Sequence, residues 1–515
     1  MLKAILDKLA ANPIARSSLL IAGVSVVGRL LGYAEKVIVA YYFGTGYQVD
    51  VYNIILTLIL SVFLFFREIA EPAFLPRFLM AVNDGDRKQA WGLFTWFARC
   101  IVLGTLTLSL VVCLRPLAVI HLVAPGLDPA RTQLAAKMIR LAFPACIFLS
   151  LAALTSVALN ALKRFVWPAA AELLFKLVVV IALLLCGRYF GIYAMITGVL
   201  IAAATKMIFQ TAVLLKTYPP PALKGRPSGL KEIGRLSWPL LLGVSFAQLA
   251  SLVDNLFASY LPEGGIAALS YAKKVVELPV LVFPYILSTI LFPYFSELAI
   301  GRKKQQLNDM FSKNLTIILL AFLPLSAFFC MFSPEIVTLF FRRGAFNEYS
   351  AALTGNALMV YSIGMVFFAI ETILVVFYFA QQDTKTPIFT GIGCVLLNMS
   401  LTWFLVGRLG YLGVALALVI SKSVKVLLLL FLLRYKLTVN YFSAGLQLAK
   451  LLLATGLTGT ILMAARQMTS PHHSAMIRAA VLAGCAILGA AIYILALGLV
   501  KFRKTSFSLN LKFDQ

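Results

Sequence analysis

Apolar residues run through this chain in long continuous blocks. They follow neither the three-four spacing of a half-buried helix nor the alternation of a strand. About 14 blocks reach the roughly 20 residues that a helix needs to cross a bilayer. They lie near residues 17–43, 50–80, 90–114, 134–161, 168–187, 190–215, 236–261, 266–298, 309–333, 350–381, 387–407, 411–433, 444–465 and 478–500. Their continuity excludes a β-barrel, whose strands would alternate. The first block is too long for the apolar core of a signal peptide, so it is read as a retained helix.

Composition agrees with this pattern. The 515 residues are 61% hydrophobic and 13% charged, whereas a soluble domain averages about 45–50% and about 25%. The expected class is an all-α polytopic membrane protein. Basic residues outnumber acidic ones, 45 to 20, for a formal charge of +25. In a soluble chain that excess would suggest nucleic acid; here its placement decides. About 24 basic residues fall on the N-terminal tail, the even-numbered connections and the C-terminal tail, against about 8 on the odd ones. Both termini are therefore expected in the cytoplasm. The excess reads as contact with an anionic leaflet, and no nucleic-acid partner is expected.

Metal and nucleotide chemistry find little support. None of the seven cysteines forms a CxxC pair, and there are only three histidines. No GxxxxGK[ST] phosphate loop, HExxH or GxSxG occurs. No cofactor and no resident metal are expected, and transport driven by the chain's own ATPase is unsupported.

The chain echoes itself at an offset near 218 residues. Ala40, Tyr42 and Gly46 align with Ala258, Tyr260 and Gly264; Pro76 aligns with Pro293; Ala161 and Pro168 align with Ala380 and Pro387. Each unit holds six helices. An even number restores the orientation, so the repeats are parallel, an arrangement found in transporters that alternate access around a central cavity. The expected organisation is 1–218 as a first lobe, 219–437 as a second, and 438–515 as two extra helices with a tail. The proline-rich stretch Tyr218–Gly229 is the linker.

About 13 basic residues remain inside the blocks, where a charge costs at least about 2.5–3.5 kcal/mol on insertion scales. The densest charge of both signs lies in the first two helices of each lobe: Arg29, Glu35 and Lys36; Asp50, Arg67, Glu68 and Glu71; Asp254; and Lys273, Lys274, Glu277 and Glu297. Arg29, Arg67 and Lys274 are read as the core of a cationic cavity for an anionic head group, because guanidinium and ammonium groups match phosphate oxygens. The bland alternative is ion pairing that locks helices, as Arg67 with Glu71 or Lys273 with Glu277 could do. Glu172 and Lys176, four apart, read as an internal pair. Asp254 with Asn398 could bind a coupling cation or simply hydrogen-bond two helices. Glu371 with Lys422 and Lys425 are further cavity candidates without a role.

Several strings resemble the MurJ/MviN family. They include Arg29-Leu-Leu-Gly-Tyr-Ala followed by Phe43-Gly44 and Asp50, and Ala70-Glu71-Pro-Ala-Phe-Leu-Pro76. Val123-Ala-Pro-Gly126 and Ser270-Tyr-Ala-Lys-Lys-Val follow, then Glu277-Leu-Pro279 and, most specific, Phe377-Tyr-Phe-Ala-Gln-Gln-Asp-Thr-Lys-Thr-Pro387. The resemblance covers roughly residues 17–435 in order. It implies a fold of the multidrug/oligosaccharidyl-lipid/polysaccharide exporter superfamily, similar to the MATE transporters, in the bacterial inner membrane. The implied activity is flipping of lipid II, an undecaprenyl-pyrophosphate-linked saccharide, for peptidoglycan synthesis.

On the same resemblance, Arg29, Asp50, Arg67 and Lys274 match the family's head-group residues, and the last two helices hold the lipid tail; Glu71 and Lys273, beside them, complete the expected head-group set. Three positions depart from the family's pattern: Glu35 and Phe66 stand where arginines are usual, and Pro72 replaces a glycine. Another polyprenyl-linked saccharide, as in exopolysaccharide export, is the alternative cargo. A cation-coupled drug exporter would want an acidic cavity in the first lobe. A non-transporting scaffold for envelope synthesis would tolerate loss of cavity charge. A membrane glycosyltransferase would need a long carboxylate-bearing loop. The expected protein is a monomer that makes and breaks no bonds, coupled to Na+, H+ or the membrane potential.

Overall fold

A computed structural model describes residues 13–221, 248, 253, 255–434, 441–466 and 475–499. Among them every regular element is an α-helix. In the first half these are α1 (Pro13–Phe43), α2 (Tyr47–Asn83), α3 (Arg87–Leu114), α4 (Pro116–Val123), α5 (Pro129–Ala142), α6 (Ala145–Ala161), α7 (Val166–Phe190) and α8 (Ile192–Thr217). Then follow α9 (Gly265–Ile300), α10 (Lys304–Met331), α11 (Ser333–Phe341), α12 (Glu348–Ala380), α13 (Lys385–Leu409), α14 (Tyr411–Leu433), α15 (Tyr441–Arg466) and α16 (Ala475–Leu499).

Nine of the described helices are long and apolar enough to cross a membrane, or ten when the bent pair α5–α6 counts as one span. The helices α1, α9 and α15 are also of spanning length, at 31, 36 and 26 residues. Most of the expected span 236–261 lies outside the described residues; its end, residues 255–259, is helical. Large apolar side chains face outward along whole helices, as Leu103, Leu106, Leu110 and Leu114 do on α3. A water-soluble monomer rarely shows such a continuous stripe, whereas a lipid-facing helix requires one.

Local chemistry sets the helix starts. Asp86 accepts a hydrogen bond from the Gln89 N–H at 2.9 Å and so caps α3. Asp128 does the same for Arg131 at 2.8 Å, with Pro129 pre-set for the first helical turn of α5. At α13 the residue before the N-cap, Asp383, accepts from both the Thr386 N–H and its hydroxyl.

The internal repeat is written in the backbone. Lys163 and Gln382, 219 residues apart, both take left-handed φ, at 59° and 60°. Their neighbours Arg164 and Asp383 close equivalent turns, through hydrogen bonds to the Leu159 and Tyr378 carbonyls. Gly191 and Gly410, again 219 apart, share φ/ψ near +57°/−139° and +55°/−135°. Only glycine adopts that region without strain. Each joins two closely packed antiparallel helices, α7 to α8 and α13 to α14.

One pair of equivalents differs. The first repeat has two helices, α5 and α6, bent by 44°, where the second has the continuous 33-residue α12. Pro144 lies at the bend, where it cannot donate to the Arg140 carbonyl four residues back. That carbonyl accepts a bond from the Cys113 thiol instead, at 3.7 Å. Ile363 occupies the equivalent place in α12.

By packing, the chain forms two units. The first comprises Met1–Lys274 with Arg343–Ser350, and the second Val275–Arg342 with Ala351–Gln515. In the first, α1 packs on α7 and α2 on α6, around a core that includes Phe74, Phe78, Trp91, Phe97, Leu154 and Leu214. In the second, α15 and α16 pack on each other and on α10, with Leu451, Ala454, Tyr493 and Ala496 at the centre.

Candidate functional site

The basic residues of the first unit converge on one face of α1. Gly28 and Gly32, four apart, are buried and leave this helix without side chains along a strip. Two long lysines fill it from other helices. The Lys176 Nζ of α7 donates to the Gly28 carbonyl at 2.9 Å. The Lys274 side chain of α9 lies over Gly32, where an added Cβ would stand 3.8 Å from its Nζ and 3.9 Å from that of Lys176. Half-buried Arg29 sits beside Gly28 and, with Lys274, is among the charges that act on Lys176. Three cationic groups from three helices thus share one neighbourhood in an apolar, membrane-spanning unit.

Acidic and polar groups border this cluster. Glu172 takes a 2.6 Å ion pair from Lys206 of α8. It also feels Lys176 and Arg67, and so links Arg67 to the cluster. Lys206 is 6% exposed, and the Phe63 and Phe175 rings lie 5.6 and 5.7 Å from its Nζ. Glu35 is another of the groups acting on Lys176. Lys36 donates to the Asn53 amide oxygen at 3.1 Å, which Ser270 also approaches at 3.5 Å.

Asp50 has a different task from the head-group role expected of it. It is 1% exposed, and its carboxylate oxygens accept from the Gly264 and Ala267 N–H groups, both at 2.7 Å. A carboxylate so placed satisfies the orphan donors that open a helix. Asp50 therefore fixes the start of α9, the helix that carries Lys274. The same region is tied by Thr45 to Ser350 at 2.8 Å and by the Tyr271 hydroxyl to the Gly44 carbonyl at 2.9 Å.

Of the other residues singled out in the sequence, Arg67, Glu71 and Lys273 are exposed. Lys273 is turned by about 100° from Lys274, as neighbours on a helix must be. Asp254 lies outside the described residues. Asn398 has the Ser421 hydroxyl 3.5 Å from its amide oxygen. Among the described residues no group of three or more His, Cys, Asp or Glu could hold a metal ion.

Sequence reasoning missed Lys176 and Lys206. It assigned Glu172 to Lys176 by their spacing, whereas the short ion pair runs to Lys206, 34 residues away. The available signal was the Gly28-xxx-Gly32 spacing, a small-residue strip that lets a neighbouring helix or a long side chain approach the backbone.

A repeated helical membrane fold among the described residues, with a cationic cluster among its helices, marks a multi-pass membrane protein of transporter architecture. Comparison makes this specific: residues 39–498 match the family described as lipid II flippase MurJ, and the chain belongs to that family. The lipid II flippase MurJ of Burkholderia cenocepacia is 25% identical, over 96% of this chain and 99% of its own length. A solved lipid II flippase MurJ in an inward closed conformation has the same fold, with TM-score 0.77 and 24% identity over 93% of this chain and 98% of that one. An inward-facing MATE family multidrug resistance transporter of the MOP superfamily matches at TM-score 0.67 and 13% identity, over 81% of this chain and 98% of that one.

Proposed function

We propose that this protein flips lipid II across the bacterial cytoplasmic membrane by alternating access, with its pyrophosphate held by Arg29, Lys176 and Lys274. The observation that carries this reading is the convergence of those three cations on the Gly28–Gly32 strip, inside a chain of the lipid II flippase family. Phosphate oxygens accept several charge-assisted hydrogen bonds at once, and three cations on separate helices suit a branched anion better than a single carboxylate. Lys176 supplies in α7 part of the charge that Glu35 and Phe66 remove from α1 and α2.

No bond is made or broken, so the protein is a carrier rather than an enzyme and needs no organic cofactor. It works as a monomer with both termini in the cytoplasm. A charge crossing the membrane potential gains about 2.3 kcal/mol per 100 mV, which can drive the cycle. Asp254 and Asn398 are the pair to test for a coupling cation. Arg67, Glu71 and Lys273, all exposed, serve approach of the head group rather than its seat.

The test has two arms. The wild-type chain should restore growth to a strain depleted of its lipid II flippase, and should flip fluorescent lipid II in proteoliposomes. Arg29→Ala and Lys274→Ala should each lower flipping by about tenfold or more, the effect of losing roughly 1.4 kcal/mol of binding. Full flipping in both variants would overturn the assignment of the site. Failure of the wild type to complement, with intact transport of another polyprenyl-linked saccharide, would move the cargo to exopolysaccharide synthesis.

A further inference from the structure

The second unit holds a charged group that the head-group cluster does not explain. Lys422 lies eleven residues from either end of the 23-residue α14, about 16 Å from each. That is the middle of a membrane span, where a lone charge is most costly. Its Nζ is 2.6 Å from one oxygen of Glu371 on α12, and the Lys425 Nζ is 2.7 Å from the other. Among the described residues two ammoniums therefore share one carboxylate, and one positive charge is left over.

The internal repeat shows which lysine is the surplus one. Lys425 is equivalent to Lys206 at the 219-residue offset, and Lys206 also has its own acid, Glu172. The residue equivalent to Lys422 is Ala203. Lys425 is the more enclosed of the two, with 14% side-chain exposure against 34% for Lys422. An added Cβ on Gly391 would stand 3.8 Å from its Nζ. Lys422 instead opens, with its partner Glu371 and with Ser288 and Thr372, on a cavity of about 540 Å³ whose other walls are Tyr285, Phe292, Val375 and Val376. Glu371 is already held by Lys425, so Lys422 on this largely apolar wall suits a molecule with one acidic group and an apolar body.

We propose that this cavity of the second unit is a binding site for an acidic amphiphile, whose single phosphate or carboxylate pairs with Lys422 while its hydrocarbon rests on Phe292, Val375 and Val376. The site lies within the second unit and does not depend on what the cluster of the first unit carries. Its anion completes a charge balance that the described residues leave short by one. Phospholipids of the bilayer and polyprenyl phosphates both have this chemistry.

The experiment is saturation binding of dodecyl phosphate to the full chain in detergent, in an Arg29→Ala/Lys274→Ala background that silences the first cluster. Lys422→Met should weaken binding by about tenfold or more, a loss of roughly 1.4 kcal/mol, and Lys422→Arg should retain it. Unliganded Lys422→Met should melt no lower than its parent, because Glu371 and Lys425 remain as a neutral pair. A purely structural lysine would do the reverse, with a lower melting temperature and unchanged affinity, and that result would overturn the proposal. So would equal affinity for dodecyltrimethylammonium. Displacement of the probe by phosphatidylglycerol assigns the site to the bilayer, and displacement by undecaprenyl phosphate alone assigns it to a polyprenyl lipid. None of these outcomes depends on whether the protein flips lipid II.

Discussion

Lys206 and Lys425 occupy equivalent places in the two repeats, and both meet a carboxylate at 2.6–2.7 Å. The carboxylates are not equivalent. In the first repeat the acid is Glu172 on α7, the helix just before the lysine's own; in the second it is Glu371 on α12, and the place of Glu172 is taken by Gly391. A buried ammonium in a membrane span needs an anion within reach, but the bundle lets either neighbouring helix supply it. The two solutions differ in exposure. Glu172 is 50% exposed at its side chain and Glu371 only 13%, although Glu371 serves two lysines. The first pair borders the cationic cluster on Gly28 and Gly32, and the second forms the charged centre of the second unit.

The comparison can be broken most sharply at the acids. Glu371→Ala leaves two ammoniums in the membrane without their partner, and removal of one member of a buried pair costs about 3–5 kcal/mol. Glu172→Ala strands one buried ammonium, Lys206, where Glu371→Ala strands two. Thermal melts in detergent should therefore show a drop for both variants, and the larger one for Glu371→Ala. Equal drops would mean that the second lysine on Glu371 has no energetic weight.

Backbone equivalence gives the next effect. Gly191→Ala and Gly410→Ala each force a side chain into a glycine-only region, at a cost of about 1–3 kcal/mol. Because the two backbones match, the two losses should agree in melting experiments. A large disagreement would show that the hairpins differ in something beyond their shared turn.

A smaller, restorative change sharpens the comparison. Gly391→Glu, introduced into Glu371→Ala, gives the second repeat the acid arrangement of the first. It should recover part of the lost melting temperature through Lys425 and leave Lys422 unpaired. Recovery that requires Lys425, and vanishes in Lys425→Met, is the expected signature. The smallest effect belongs to Pro144→Ala, which restores a backbone donor at the α5–α6 bend while the surrounding packing still holds the angle. Its change in stability should stay below about 1 kcal/mol.

Much of this architecture was readable along the chain. Continuous apolar blocks located α3, α7, α8, α10, α13 and α14 to within a few residues, because hydropathy is a local property. The repeat was legible from sparse matches, and two of them, Ala161 with Ala380 and Pro168 with Pro387, flank the matching turns at Lys163 and Gln382. The string around Asp383 is a helix end followed by a helix start: Gln382 takes the left-handed turn and Asp383 accepts from the first turn of α13. The short helices α4 and α11 and the bend at Pro144 escaped the sequence reading, since eight or nine apolar residues carry too little periodicity to separate a helix from a loop.

The candidate site divides in the same way. Arg29 and Lys274 stood out because charges inside apolar blocks are costly and rare. Lys176 did not, because the acid four residues earlier gave it an ordinary local explanation. Asp50 was legible as an unusual acid, but not as the cap of a helix that begins 215 residues later in the chain.

From its residues alone, then, this chain declares that it belongs in a membrane, where most of its helices run, and that it repeats itself. Each of those depends on interactions within about 20 consecutive residues, or on similarity between two such stretches. Which lysine meets which carboxylate is another matter. Lys176 reaches Gly28 across 148 residues, Lys206 reaches Glu172 across 34, and Lys422 reaches Glu371 across 51. Those partnerships depend on how each helix is rotated and which neighbours it meets, and only the packed bundle sets both.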